Sequence, residues 1–289
     1  MSTVNNLHPK YRICKDRFSI QHMKRKGVTA MPRPHRHEQI ELYYLCEGER
    51  VYFVDDRVIT LRKGELILIP AAQIHSTASS EVAEFERILI NYDPRLLPTS
   101  LQNEAIWFHQ HRYRVFTLTL REQDEAKRLL LKMVDECRSE RCHYEDCVLA
   151  LFTELSVLLQ RSENMQLDEP SEAAKPPLHD LINEVAAYIR KHYDQSLTLE
   201  QTAAHFFISA SYLSRVFHRL TGFHFREYII HIRMREAEKQ LIHSEERIQD
   251  IALSIGFEHL SHFNKTFKKA TGWTPLQYRK QTRSDRHSK

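Results

Sequence analysis

Long apolar runs are absent from this sequence of 289 residues. Leu66-Ile-Leu-Ile69 stops at Pro70, and no run approaches the roughly 20 residues a helix needs to cross a bilayer. The N-terminus, Met1-Ser-Thr-Val-Asn-Asn, has no basic segment followed by an apolar one, so no secretory signal is expected. Cysteine is scarce and odd in number: Cys14, Cys46, Cys137, Cys142 and Cys147. That argues against a disulfide framework. The last three are spaced by five, about 500° of helical rotation per step, so they share no face. Reduced thiols in a cytoplasmic protein without membrane association are expected, with a redox or zinc role as the alternative. Compositional extremes are absent too. Hydrophobic residues make up 42% and charged residues 28%, which excludes a collagen-like or wholly disordered chain. The length accommodates two domains with substantial cores.

What is present is unevenly placed. The net charge is +4. Residues 178–289 hold 17 Lys and Arg against 12 Asp and Glu, while residues 1–177 hold 25 against 26. A basic C-terminal part on a near-neutral N-terminal part points to an anionic partner for the former. Charge alone is also compatible with mere solubility.

From Arg17 to about Asn91 short alternating runs predict strands at 40–46, 51–54, 57–61, 65–69 and 85–91. Asp55-Asp56 and Lys63-Gly64 are turn signals between them. Strands of this kind build a sandwich or a barrel. From Glu122 to about Glu163 the period becomes helical. Leu129, Leu130, Met133, Val134 and Cys137 form one apolar stripe. Val148, Leu151, Phe152, Leu155, Val157, Leu158 and Leu159 form a wider one. The wider stripe leaves two readings open, a homodimer interface and an intramolecular helical hairpin. Residues 164–177 carry three prolines without periodicity and read as a linker.

The C-terminal part repeats itself at a step of 49–50 residues, Thr202–Gly222 against Ile251–Gly272. Ala203 aligns with Ala252, Phe217 with Phe267, and Thr221-Gly222 with Thr271-Gly272. Each copy predicts a short helix, a tight turn and a second helix. The turn of the second copy holds Gly256, which takes positive φ cheaply, whereas Phe207 stands in the first copy at a local cost or in a different turn. Ser209 is a cap for the second helix of copy one, and Glu258-His259 a weaker cap in copy two. Core faces are expected at Leu213, Val216, Phe217 and Leu220, and at Phe263, Phe267 and Ala270. Gly222 and Gly272 suit the residue after a helix, and Thr274-Pro275 starts the last one. Helix, turn, helix is the DNA-reading unit. The free polar faces offer Ser211, Ser214, Arg215 and His218 in one copy, and Ser261, His262, Asn264, Lys265 and Lys268 in the other. Such side chains read base edges and clamp phosphates, although a solvated helix face has the same composition. A helical pattern from Arg226 to about His243 would fix the spacing of the two units.

Residues 178–289 closely resemble the DNA-binding domain of AraC-type transcriptional regulators. The resemblance is carried by Leu197-Thr-Leu-Glu-Gln201, Ser209-x-Ser-Tyr-Leu-Ser-Arg215, Arg233-Met-x-x-Ala237, Ile251-Ala, Gly256-Phe257, Phe263, Phe267-Lys-Lys269, Thr271-Gly272, Thr274-Pro275 and Tyr278-Arg279. It implies seven helices, two helix-turn-helix units, double-stranded DNA as partner and no enzymatic activity in this domain. Phe207 and Glu258-His259 depart from the commonest residues, which affects turn geometry.

In the N-terminal part, His35-x-His37-x3-Glu41-x6-Gly48, with Gly64-x5-Pro70 and His75, resembles the two cupin motifs. Ala72 and Ser79 depart from the second motif. Three imidazoles and a carboxylate could hold a divalent transition metal. The sensor domains of AraC-type regulators resemble cupins and receive a small effector, often a sugar, in the barrel mouth. Three readings stay open for His35, His37, Glu41 and His75: an effector pocket with no required metal, metal-assisted sensing, and catalysis. Tyr43, Tyr52 and Phe53 could pack on a sugar ring or fill the core.

The expected architecture is α+β in two domains: a cupin-like β-barrel sensor (1–120), a helical dimerisation segment (121–163), a linker (164–177) and an all-α double helix-turn-helix domain (178–289). The expected function is a DNA-binding regulator, more readily an activator, responding to a small molecule, dimeric and able to contact RNA polymerase. A metal-dependent cupin enzyme with a DNA-binding tail, and a constitutive DNA-binding protein whose barrel is a scaffold, are the rivals.

Overall fold

The computed structural model describes residues 8–27, 31, 33–80, 82, 84–102, 113–162, 165–166 and 177–287. The chain forms two compact units that meet along the sequence at Asp180–Leu181. Most of the linker segment 164–177 lies outside the described residues. No helix among the described residues is long and apolar enough to cross a membrane.

Among the described residues the N-terminal unit is built on ten strands: β1 (Lys10–Ile13), β2 (Phe18–Lys26), β3 (Ile40–Glu47), β4 (Glu49–Val54), β5 (Arg57–Arg62), β6 (Glu65–Ile69), β7 (His75–Ser79), β8 (Glu84–Tyr92), β9 (Arg114–Thr117) and β10 (Met165–Gln166). The five strands expected from alternation are all present. Asp55 and Asp56 both adopt positive φ, at 49° and 63°, which gives the β4–β5 hairpin its tight turn. The expected barrel is not closed. Seven strands form one sheet in the order β1-β2-β8-β3-β6-β9-β10, and three form another in the order β5-β4-β7. β5 and β7 pair with β4 alone among the named strands, and beyond β7 only an isolated pairing with the segment before β3 continues the ladder, so the result is a two-sheet sandwich.

The large sheet is buried on both faces. Tyr43 and Leu45 of β3 and Ile67 and Ile69 of β6 face the small sheet, where they meet Tyr52, Val54, Ile59 and Leu61. Leu42, Tyr44 and Cys46, with Leu66 and Leu68, point the other way, against two helices. A short helix α1 (Thr99–Gln102) precedes these, which are α2 (Leu120–Ser139) and α3 (Tyr144–Arg161). Thr119 caps α2 in a reciprocal capping box with Glu122. Leu129, Leu130, Met133 and Cys137 of α2 and Val148, Leu151, Phe152, Leu155 and Leu159 of α3 are buried, each large side chain contributing about 1.5–3 kcal/mol. Val157 and Leu158 also pack, partly buried, on this core. Most of the wide stripe is therefore used within the chain.

Gly48, the last glycine of the first cupin-like motif, joins β3 to β4 at φ +88°. A Cβ there would collide with the Glu84 carbonyl oxygen and stand 3.0 Å from Phe85 Cα. The motif's glycine is thus a requirement of close strand approach.

The C-terminal unit contains seven helices among the described residues: α4 (Pro177–His192), α5 (Leu199–His205), α6 (Ala210–Thr221), α7 (Phe225–His243), α8 (Ile248–Ser254), α9 (Leu260–Thr271) and α10 (Pro275–His287). The repeat is realised as α5-turn-α6 and α8-turn-α9. Ala203 and Ala252 are buried where the paired helices approach. Phe217 packs edge-on to Tyr228 at 5.3 Å, and Phe267 to Tyr278 at 5.4 Å. Ser209 Oγ accepts from Tyr212 N at 3.2 Å, the expected cap, while His259 makes no side-chain cap. Thr274 Oγ1 accepts from Gln277 N at 3.3 Å at the start of α10. Ala270, expected in the core, is exposed: the last turn of α9, with Lys268 and Lys269, faces solvent.

The two turns have one geometry. In copy two, Gly256 N donates to Leu253 O at 3.0 Å and Phe257 N to Ala252 O at 2.9 Å. In copy one, Phe207 N donates to Ala204 O at 3.1 Å and Ile208 N to Ala203 O at 3.0 Å. Phe207 therefore takes the glycine conformation, at φ +56°, with its ring 96% exposed. A left-handed non-glycine residue costs about 1–2 kcal/mol. Phe207→Gly is expected to raise the stability of this unit by about 1 kcal/mol. A urea midpoint unchanged or lowered in the variant would refute the strain.

Candidate functional site

The four sensor residues picked out by spacing converge. His35 and His75 exchange backbone hydrogen bonds, each at 3.0 Å, which fixes the segment before β3 against the outer edge of β7. His37 O accepts from Ala72 N at 2.7 Å and anchors the second imidazole. Ring centroids lie 4.5 Å apart for His35 and His75, 5.3 Å for His37 and His75, and 5.7 Å for His35 and His37. One ring nitrogen from each lies within 4.8 Å of the others.

Glu41, on the inner face of β3, is buried beside them. Its Oε2 is 3.2 Å from His37 Nε2, 3.5 Å from His75 Nε2, and accepts from Asn91 Nδ2 at 3.4 Å. Burial opposes ionisation of Glu41, but the polar contacts with His37 and His75 outweigh it and hold the carboxyl well below the usual range. Burial also works against a charged His75, and the neighbouring carboxylate more than offsets it, raising that imidazole. His35 is lowered, first by burial and then by His75.

The outer nitrogens are spoken for. His37 Nδ1 lies 2.7 Å from the Gln39 carbonyl and His75 Nδ1 lies 3.0 Å from that of Gln73. A carbonyl accepts only, so Nδ1 carries the hydrogen in both rings. Each Nε2 is then aimed at Glu41, and either a proton or a cation must stand between lone pair and carboxylate. The residues fit a divalent metal: three imidazoles, two of them (His37 and His75) fixed from behind by carbonyls, with one carboxylate beside them.

Several residues of this interior were not read from the sequence. Asn91 sits opposite Glu41 in the β3–β8 register, and Lys10 Nζ donates to Asn91 Oδ1 at 3.2 Å. Ser19 Oγ, Tyr52 Oη, His75 Nε2 and Arg87 Nη1 are buried and make no hydrogen bond among the described residues. All four belong to inward positions, on β2, β4, β7 and β8. The available signal was a polar residue at an inward register position, which requires the pairing to be known. Tyr43 and Tyr52 are buried in the sandwich core with rings 5.3 Å apart, and Phe53 is buried on the opposite face of β4.

In the C-terminal unit Ser211, Arg215 and His218 of α6 are exposed and Ser214 is half-buried. On α9, Ser261, His262, Lys265 and Lys268 are exposed and Asn264 is half-buried. Each set shares the face opposite its helix's core. His218 stacks on His224 at 4.2 Å, and Arg215 Nε donates to Ser211 O at 3.4 Å. His262 lies edge-on to Phe257 at 5.4 Å. Tyr212 and Leu260, at the first turns of these helices, are exposed as well and were not picked out.

Residues 28–146 match the AraC-like ligand binding domain, and residues 202–281 match a helix-turn-helix domain. The melibiose operon regulatory protein of Escherichia coli K12 is 23% identical over 292 residues, covering 98% of this chain and 93% of that protein. The HTH-type transcriptional activator RhaR of Klebsiella pneumoniae is 26% identical over 263 residues, covering 86% and 88%. Among solved structures, the C-terminal domain of AraT, a response regulator from Geobacillus stearothermophilus, is 36% identical over 37% of this chain and 88% of that one, with a TM-score of 0.35. Carrying a ligand-binding domain ahead of a DNA-binding helix-turn-helix domain, this chain belongs to the AraC family of transcriptional regulators.

Proposed function

We propose that the chain is an activator whose sensor binds a sugar or a closely related metabolite between its two sheets, and that it acts as a dimer without catalysing a reaction. The observation that carries the sensor reading is the set of buried polar atoms at Ser19, Tyr52 and Arg87 that make no hydrogen bond among the described residues. A buried polar group without a partner costs about 1–3 kcal/mol, and a hydroxyl-rich ligand would supply partners to all of them. The names of the relatives, a melibiose operon regulator and a transcriptional activator, support sugar and activation. Effector binding would favour one arrangement of the DNA-binding units and of their contact with RNA polymerase. The domain division, with 121–163 as dimerisation helices and 164–177 as linker, belongs to the same proposal. Selection of bound genomic fragments, repeated with and without a sugar panel, tests it. Fragments with paired half-sites whose affinity changes with one sugar are expected. Identical affinity across the panel would refute sensing and leave a constitutive DNA-binding protein.

The DNA contacts assigned to Ser211, Ser214, Arg215, His218, Ser261, His262, Asn264, Lys265 and Lys268 are separable by chemistry. Arg215→Ala is expected to weaken specific binding by about 1–3 kcal/mol and relax preference at one base position. Lys265→Ala or Lys268→Ala is expected to weaken all sequences alike and to lower the salt slope by about one. An unchanged slope in both lysine variants would remove them from the phosphate contacts.

A second reading is favoured by the orientation of His37 and His75. A divalent transition metal held by His35, His37 and His75, with Glu41, would satisfy the Nε2 atoms and neutralise the carboxylate, supplying a Lewis-acidic anchor for effector hydroxyls. Elemental analysis of protein prepared without chelator tests it. Stoichiometric metal lost in His75→Ala is expected on this reading, and metal-free protein that still binds effector would exclude it.

A further inference from the structure

The polar end of the sandwich interior is strongly cationic. Arg87 lies opposite Leu45 of β3 and Met23 of β2, so it faces inward with the core between the sheets. Its Nη2 donates to Gln21 Oε1 at 3.0 Å, its guanidinium lies 5.5 Å from the Tyr43 ring centre, and its buried Nη1 makes no hydrogen bond. Arg87 forms no ion pair among the described residues. Arg50 reaches the same interior from β4 and is buried. It stacks over Phe85 at 4.3 Å, and donates from Nη1 to Ser79 Oγ and from Nη2 to Thr77 Oγ1, both at 3.1 Å. The two guanidinium groups feel each other electrostatically, and Lys10 adds a third cation at Asn91. Glu41 faces this end too, but its contacts go to His37, His75 and Asn91.

The outer face of the same strands is arranged differently. There Lys24 and Lys26 pair with Glu84 at 3.6 and 3.7 Å, and His22 pairs with Glu86 at 2.8 Å. Cations of β2 at the surface have acids on β8. The inward cation of β8 has an amide, a thioether and an aromatic ring instead. A buried cation is costly unless an anion meets it, and a guanidinium offers a planar fork that suits a carboxylate or a phosphate.

We propose that the effector is a sugar carrying an anionic group, a sugar acid or a sugar phosphate, whose oxyanion is received by Arg87 and Arg50. This rests on the reading of the interior as the effector site. In that arrangement Arg87 Nη1 and Tyr52 Oη meet the oxyanion, and the His35, His37 and Asn91 end meets ring hydroxyls.

The test is titration of the full-length protein with three probes in parallel: D-galactose, D-galacturonate and D-galactose 6-phosphate, and the glucose series likewise. Binding is read by calorimetry and by thermal shift. At least one acid or phosphate is expected to bind ten-fold or more tightly than its neutral parent, the tighter of the two naming the anion. Arg87→Met is expected to abolish the preference, so that the anionic probe binds no more tightly than its neutral parent does to the same variant. A neutral sugar that binds as tightly as both its anions would overturn the anionic assignment and leave the sugar reading intact. The anionic assignment also falls if Arg87→Met, folded by circular dichroism, keeps the preference. Silence from all six probes would overturn both readings together. The comparison of probes on the wild-type protein stands even if the variant does not fold.

Discussion

Arg233→Ala is expected to lower the stability of the C-terminal unit by about 2–4 kcal/mol, a shift read directly in a urea midpoint followed by far-ultraviolet circular dichroism. Arg233 lies on α7 and spreads its fork over three carbonyls. Nε donates to Tyr193 O at 2.7 Å, Nη1 to Gly256 O at 2.7 Å, and Nη2 to Gln195 O at 2.9 Å. The guanidinium also lies 5.5 Å from the Phe257 ring centre. One side chain thereby ties the chain leaving α4 to the turn of the second helix-turn-helix. Removal leaves Tyr193 O and Gly256 O without this donor at the place that sets the entry of α9, while Gln195 O keeps only its bond from Leu197 N at 2.9 Å. A half-buried charge-assisted bond is worth less than a fully buried one, which is why the expected loss is below the sum of three. Arg233→Lys is expected to recover little, because an ammonium is a point donor and cannot span three acceptors. A midpoint within about 0.5 kcal/mol of wild type, by the same linear extrapolation, would show the fork to be incidental.

Gly48→Ala is expected to destabilise the sensor unit by about 2–5 kcal/mol, from left-handed strain plus overpacking. The positive φ at +88° disfavours any side chain, and the added methyl meets the backbone of Glu84 and Phe85, which cannot swing aside. Gly48 touches none of the His35, His37, Glu41 or His75 side chains. The variant should therefore lose sensor stability, read by thermal unfolding, while operator binding by the C-terminal unit persists at temperatures where the sensor stays folded. Full retention of the melting temperature would mean that the β3–β4 junction tolerates a different path.

Periodicity determines a large part of this protein without help from tertiary structure. Strands at 40–46, 51–54, 57–61, 65–69 and 85–91 were legible because alternation reports a buried face one residue at a time. The two helix-turn-helix units were legible because the chain states them twice, and Ser209, Gly272 and Thr274-Pro275 punctuate them by local chemistry. His35, His37, Glu41 and His75 were legible because they lie in two short segments with fixed spacing. Tertiary structure decided what depends on pairing between distant segments. Whether the strands close as a barrel or stop as two sheets depends on which edges meet, and β5 and β7 end the small sheet. Whether the wide stripe of α3 serves a partner or its own core depends on the size of the sheet face it covers, and that face takes most of it. Phe207 adopts the glycine conformation where Ile208 N bonds back to the carbonyl of the buried Ala203 and closes the turn, a constraint that local propensity does not contain. Arg50, Arg87, Asn91 and Lys10 enter the sensor interior only through register. A strand residue shifted by one position faces the opposite side of its sheet, so their inward placement is a property of the fold and not of their neighbours in sequence.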